Sequence, residues 1–376
     1  MYISDLETLA AFCERASSAK VIAVDTEFLR EKTFYPKVCL IQLATPTESA
    51  AVDPILIDDL SSLRRLFEDT SIVKVFHACT QDLEVILHEL GCVPRPIFDT
   101  QLAAAFLGRR QQIGYGALVE SCCGVHLPKA ESLTDWSRRP LDADQLKYAE
   151  DDVRYLPGIY EQMVSELVRL DRLSWLAPEM ERIADPNHFS RPPELAFRHL
   201  KRSGSLTRKQ LAVAREVCAW RDTVAARRDI PRKWVVSDEV VVEACKRVPK
   251  STDRLKRIRG TEQLSAKDAD GMVRAVRRGA DCAPELYPKV NRRERPSAET
   301  ESIVDLMYAM LRLVSDRSGV ATQLIATRDD LLDFVNHRER SPLSSSWRYD
   351  LAGRSLEGLL DGRVGLTVKD GKVETL

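Results

Sequence analysis

The first residues whose types and spacing could do chemistry are Asp25 and Glu27, in the run Val24-Asp25-Thr26-Glu27-Phe28. The apolar residues Val21 to Val24 before them predict a strand, and strand side chains two apart leave from one face. Two carboxylates held that close repel unless a cation sits between them. All-oxygen ligands suit a hard divalent ion. Taken alone, however, D-x-E describes a solvated strand end better than it describes a site. A second acidic group is Tyr148-Ala149-Glu150-Asp151-Asp152. Residues four apart share a helix face, which pairs Tyr148 with Asp152, while a spacing of three leaves Asp151 an equal candidate. The third is Asp82, expected in the first turn of a helix just after a strand, where the helix dipole favours an anion. An acid there also simply improves a helix start. Asp99 closes the next strand and fits a helix cap. His77, at a strand end, fits a hydrogen-bonded structural histidine.

These acids need a frame, and the N-terminal third supplies one. Val21 to Val24, Val38 to Leu43 and Ala50 to Val52 follow each other too closely for crossover helices, so they predict an antiparallel meander. Next come a helix near Leu60 to Phe67, a strand Ile72 to Phe76, a helix Gln81 to Leu90 and a strand at Ile97 and Phe98. Helices around Gln101 to Leu107 and Tyr115 to Cys122 follow. This order implies a mixed sheet covered by helices. A long helix is expected from Asp144 to Leu170, kinked at Pro157. Pro178 to Pro193 holds four prolines and marks a connector, and a second boundary lies near Pro284 to Pro296. Beyond the connector runs a weak repeat with an offset of 90 residues. Ile230, Trp234, Val235, Ser237, Val241 and Val242 align with Val320, Leu324, Ile325, Thr327, Leu331 and Leu332, which suggests two related helical bundles.

The chain has 376 residues, enough for two or three domains, and 44% of them are hydrophobic. It has no apolar run of membrane-spanning length, no signal-peptide pattern at its N-terminus and no phosphate loop of the kind a helicase needs. Its nine cysteines are scattered without a C-x-x-C spacing, which argues against a disulfide framework or zinc site and for a reducing cytoplasm. The net charge of −1 hides a division. Residues 198–293 hold 25 Lys and Arg against 12 Asp and Glu, and residues 1–197 hold 20 against 31. A basic middle beside an acidic block suggests a polyanion-binding module joined to a unit that concentrates carboxylates, although ordinary solvated helices share that composition.

The run from Val24 to Phe28, continued by Thr33-Phe34-Tyr35-Pro36-Lys37 and Leu40-Ile41-Gln42-Leu43, resembles the first motif of the ribonuclease D family, within the DEDD superfamily of 3′→5′ exonucleases. His77-Ala78 through Gln81-Asp82-Leu83-Glu84 resembles the second motif and selects Asp82 over Glu84. Tyr148 to Asp152, followed by Val153 and Tyr155-Leu156, resembles the third and selects Asp152 over Asp151, in the tyrosine subclass. Phe98-Asp99-Thr100-Gln101 and Asp135-Trp136 with Arg139-Pro140-Leu141 also fit. The two bundles resemble paired HRDC domains, the second less closely.

The resemblance implies a ribonuclease H-like exonuclease domain over 1–176, a linker over 177–204, a first HRDC domain over 205–282, a linker over 283–296 and a second HRDC-like domain over 297–376. It implies a two-metal mechanism with Mg²⁺ or Mn²⁺. Asp25 would bridge the ions, Glu27 and Asp152 would complete one, Asp82 would hold the other through water, and Tyr148 would orient the attacking water. The expected partner is RNA with a free 3′ end, in particular tRNA precursors, trimmed to nucleoside 5′-monophosphates, with no membrane and no obligate protein partner. A DNA exonuclease shares the same acids, so RNA must be recognised through its 2′-OH elsewhere. A silent nucleic-acid scaffold would lack one of the acids, and all four are present. Charge counting within the first bundle singles out Arg254, Lys256, Arg257 and Arg259 as the residues expected to bind RNA. Fewer bases, chiefly Arg338, Arg340 and Trp347-Arg348, are available in the second.

Overall fold

The computed structural model describes residues 1–128, 134–190, 192–289 and 296–376. The N-terminal half contains β1 (Tyr2–Ile3), α1 (Leu6–Ala16), β2 (Val21–Leu29), β3 (Lys37–Ala44), β4 (Ser49–Val52), α2 (Ser61–Glu68), β5 (Val73–Phe76) and α3 (Thr80–Leu90). It continues through β6 (Ile97–Asp99), α4 (Thr100–Phe106), α5 (Tyr115–Cys123), α6 (Ala143–Arg154), α7 (Leu156–Arg169) and α8 (Leu173–Ile183). The strands form one mixed sheet in the order β1-β4-β3-β2-β5-β6. β2, β3 and β4 are the antiparallel meander, and β5 joins β2 in parallel. Val21, Ile22, Ala23 and Val24 are all buried, as expected of a central strand covered on both faces. Ile22, Val24, Ile41, Leu43 and Val52 face the main core. Leu40 and Ala51 face a smaller cluster with Ala149 of α6 and Trp136. β1 and α1 carry little sequence signal, although Leu9, Phe12, Cys13 and Ala16 give α1 a buried stripe and Asp5 caps it.

Two expectations change here. The single helix kinked at Pro157 is two helices. α6 ends at Arg154, and Pro157 sits in the first turn of α7, where its missing N–H costs nothing. The linker expected over 177–204 begins inside α8, which carries Pro178 in its interior. An interior proline costs about 3 kcal/mol, but Leu176 and Met180 are buried in the main core and hold the helix. Arg191 of that linker, and residues 290–295 of the connector expected over 283–296, lie outside the described residues.

The first bundle comprises α9 (Arg208–Arg228), α10 (Arg232–Val235), α11 (Asp238–Arg247), α12 (Thr252–Leu255) and α13 (Ala266–Ala280). The second comprises α14 (Ala298–Ser318), α15 (Thr322–Ile325), α16 (Arg328–Asn336), α17 (Ser346–Arg348) and α18 (Arg354–Leu360), then a hairpin of β7 (Leu366–Lys369) and β8 (Lys372–Thr375). The repeat is structural. α9 and α14 each have 21 residues and start 90 residues apart, and Ser237 and Thr327 cap the equivalent helices α11 and α16.

The two bundles attach differently. The first has its own core, including Val217, Val241, Leu255, Ile258, Met272 and Val276. It grips the loop after β2 through Asp229, whose carboxylate accepts from the backbone N–H groups of Phe34 (3.0 Å) and Tyr35 (3.1 Å). The Arg232 guanidinium lies over the Phe34 ring at 4.6 Å. The second bundle instead shares the main core, to which Met307, Met310, Leu331, Phe334, Trp347 and Leu356 all belong. Trp347 stacks on Trp175 and meets Phe106 edge-on, with ring centroids 5.6 and 5.1 Å apart. Its indole N–H donates to Glu179 of α8 (3.4 Å), which also pairs with Arg348. Gly108 and Gly319 close the same seam, where a Cβ on Gly108 would stand 2.8 Å from the Gly319 carbonyl oxygen. Among the described residues, no helix is long and apolar enough to cross a membrane.

Candidate active site

β2 carries Asp25 and Glu27 on one face, and α6 lies across that face of the sheet. One carboxylate oxygen from each of Asp25, Glu27 and Asp152 can be chosen so that all three lie within 4.8 Å of one another. Spacing left Asp151 and Asp152 equivalent, but the structure separates them. Asp151 turns to Lys147, with which it pairs at 2.8 Å, and Asp152 joins the cluster. β5 stops pairing with β2 at Ala23, which leaves the flank of Asp25 and Thr26 to the first turn of α3. Asp82 sits there, 7% exposed, and accepts a hydrogen bond from the Thr26 hydroxyl at 2.6 Å. Tyr148 stands one helical turn before Asp152, and its ring packs near Trp136 with centroids 6.0 Å apart.

So many wholly or partly buried carboxylates cannot all be charged cheaply. Burial, then the charges of Asp82, Asp152 and Glu27, holds Asp25 well above the ordinary carboxylate range. Burial, then Asp152 and Asp82, pushes Glu27 up to about 8. Burial pushes Asp82 and Asp152 up to about 7, against the pull of Thr26 on the first and Tyr148 on the second. The Tyr148 phenol is raised by burial and by the neighbouring acids, so it keeps its proton at neutral pH. Protons or cations must fill this site. Its donors are all hard oxygens, with no thiolate or imidazole among them, which suits Mg²⁺ or Mn²⁺.

Other residues support the site without joining it. Asp99 caps α4 by accepting from the N–H groups of Gln101 (2.8 Å) and Leu102 (3.1 Å). It also accepts from those of Ala78 (3.2 Å) and Cys79 (2.9 Å). It thereby holds the turn that launches α3, where Ala78 has a φ of +62°. Both His77 ring nitrogens are engaged, with the Thr100 hydroxyl (2.9 Å) and the Ile113 carbonyl (3.0 Å). The Tyr115 hydroxyl donates to the Asp151 carbonyl at 2.7 Å and steadies the end of α6. No spacing in the sequence announced Thr26 or Tyr115.

Arg254, Lys256, Arg257 and Arg259 are exposed on and just after α12. Neighbouring cations of the first bundle are paired, Arg228 with Asp268, Arg232 with Asp222 and Arg278 with Glu216. In the second bundle Arg338 pairs with Asp361 and Arg348 with Glu179. Trp347 is 5% exposed, so Trp347-Arg348 is part of a seam and not a surface pairing of aromatic and base.

A mixed sheet flanked by helices, with acids from its central strand and two flanking helices gathered at one place, is the architecture of a metal-dependent 3′→5′ exonuclease. A model of the 3′-5′ exonuclease family matches residues 1–168, and a model of the HRDC domain matches residues 210–270. Ribonuclease D of Zymomonas mobilis is 37% identical over 99% of this chain and 96% of its own length. That of Jannaschia sp. is 38% identical over 99% and 98%. The crystal structure of Escherichia coli RNase D, an exoribonuclease involved in structured RNA processing, superposes with a TM-score of 0.84 at 30% identity, over 96% of this chain and 98% of that one. The chain belongs to the ribonuclease D family. It is a divalent-metal-dependent 3′→5′ exoribonuclease.

Proposed function

We propose that this enzyme trims the 3′ ends of tRNA precursors and other structured RNA in the cytoplasm, releasing nucleoside 5′-monophosphates with two bound Mg²⁺ or Mn²⁺ ions. The observation that carries the mechanism is the convergence of Asp25, Glu27 and Asp152 within 4.8 Å, with Asp82 buried alongside. Glu27 and Asp152 would help Asp25 hold the ion on the nucleophile side, and Asp82 would help Asp25 hold the other. When bound, the ions acidify a water and neutralise charge developing on the phosphate and the leaving 3′-oxygen. Tyr148 keeps its proton, so it orients the attacking water as a hydrogen-bonding group and does not act as a base. Both nitrogens of His77 are already engaged. The catalytic part spans 1–176, and the bundles over 205–282 and 297–376 are the two HRDC domains. Structured RNA as the substrate class is supported by the E. coli relative. RNA binding through Arg254, Lys256, Arg257 and Arg259 is supported by their exposure in the basic middle of the chain.

The test is metal-dependent release of mononucleotides from 5′-labelled tRNA precursor, unstructured RNA and DNA of matching sequence, with a 3′-phosphate-blocked control. Stepwise shortening of the precursor that stops on chelation and in Asp25→Asn is expected. Wild-type turnover by a folded Asp25→Asn variant, or shortening of the blocked RNA, would refute it.

A further inference from the structure

Behind the acids lies a polar side chain with nothing to bond. Gln42 of β3 is 0% exposed, and neither its amide nitrogen nor its amide oxygen has a hydrogen-bond partner among the described residues. Buried amides are rarely left so. The strand register sets Gln42 directly opposite Asp25 on one side and Ala51 on the other. Directly opposed residues of an antiparallel pair project from the same face, with Cβ atoms about 5 Å apart, a gap that a glutamine side chain spans. Gln42 therefore shares the face that presents Asp25 and Glu27, under the lid of α6, where Ala149 packs with Leu40 and Ala51. The buried indole N–H of Trp136, in the same cluster, is also unpartnered. Three of the four orphaned atoms, those of Gln42 and Trp136, thus lie on this side of the sheet, and the fourth is Arg221 Nε of the first bundle. Asp82 has a hydroxyl donor in Thr26 and the Tyr148 hydroxyl draws Asp152 toward its charged form, whereas among the described residues only the Thr26 backbone does so for Asp25.

We infer that Gln42 is the positioning residue of Asp25: when Asp25 is charged and holds cations, the Gln42 amide nitrogen turns to donate to its carboxylate, directly or through one ordered water, and fixes the orientation of that carboxylate. The inference rests on the proposal that Asp25 is a metal ligand. A neutral amide suits the task. It favours the ionised carboxylate by hydrogen bonding without adding a charge that would repel the ions or compete for the acids. Partners that orient a metal ligand from behind set its affinity, and their loss weakens binding about 10- to 100-fold.

The experiment measures Mn²⁺ affinity of the full chain by electron paramagnetic resonance of the free ion, together with melting in excess chelator. The proteins are wild type, Gln42→Leu, Gln42→Met and Asp25→Asn. Gln42→Met keeps the length of the side chain and decides the matter should Gln42→Leu fail to fold. We expect Mn²⁺ affinity about 10- to 100-fold weaker in the Gln42 variants, with turnover regained at raised Mn²⁺. Their melting temperature in chelator should be unchanged or higher, since two unpaired buried groups have gone. Affinity within about threefold of wild type overturns the inference, being outside the loss expected for such a partner. So does a melting temperature well below wild type in both variants, which would assign weaker binding to general loosening. If Asp25→Asn itself binds Mn²⁺ like wild type, the metal-ligand proposal fails instead, and the two failures are told apart.

Discussion

Replacing one of the clustered acids should stabilise the metal-free enzyme, and Glu27→Gln is the sharpest case. Burial and the neighbouring acids hold the Glu27 carboxyl near 8, against an ordinary 4.5. A folded-state pKa raised above the unfolded one means the native protein holds a proton that the unfolded chain has released. Stability is therefore lost as pH rises from about 4.5 through 8. At pH 8 the difference costs about 4 kcal/mol, and at pH 5 only about 1 kcal/mol. Glu27 is half-buried and not sealed, so water reaching it trims the gain from its removal to about 2–3 kcal/mol at pH 8. For a folding unit the size of the catalytic part, that is roughly 5–10 °C in melting temperature. The assay is calorimetry of both proteins in chelator at pH 5 and pH 8. The difference between variant and wild type cancels the titrating groups that do not feel Glu27, while Asp25, which its charge raises, is relieved in the same direction. Saturating Mn²⁺ should invert the order by stabilising the wild type alone. A variant that melts at or below wild type at pH 8 in chelator, or the same difference at both pH values, would show that the acids do not strain the fold as described.

Tyr148→Phe should slow turnover while leaving RNA affinity near wild type, measured by single-turnover cleavage beside filter binding; weakened affinity with intact turnover would make it a substrate-binding residue. Neutralising Arg254, Lys256, Arg257 and Arg259 together should weaken RNA binding and flatten the plot of log affinity against log salt, by about 0.7–0.9 for each phosphate that is no longer neutralised. An unchanged slope in that quadruple variant would move the RNA surface elsewhere. Trp347→Ala should destabilise the catalytic part by about 3–5 kcal/mol through the cavity it leaves, seen as a lower denaturant midpoint for unfolding of the sheet core. Independent unfolding of the second bundle, with the sheet unaffected, would contradict a shared core.

The meander, the acids and the helical repeat were legible because each leaves a local mark: an apolar run, a two-residue spacing, an offset of 90 residues. What was not legible is tertiary. Spacing left Asp151 and Asp152 open and only the motif resemblance chose between them; in the structure Lys147 claims the first and the second joins Asp25 and Glu27. Arg348 reads as a free base in sequence and is tied to Glu179, 169 residues away. Asp99 reads as a cap, and its second pair of hydrogen bonds, to Ala78 and Cys79, appears only when β5 and β6 lie side by side. The hairpin of β7 and β8 had a local signal in Asp370-Gly371, but both strands are largely exposed and lack the alternation that makes a strand recognisable.

The shared core also bears on how the chain is made. Ribosomes deliver it from the N-terminus, so Phe106 and Trp175 emerge long before Trp347, which packs on both. During that interval the nascent nuclease carries an open apolar face, while the first bundle, with its own core, closes without waiting. A message truncated between the bundles yields a product whose sticky face is permanent, an object for chaperones and proteases. The helices of the second bundle thus act as a seal applied, long after the nuclease face has emerged, to an enzyme that degrades RNA.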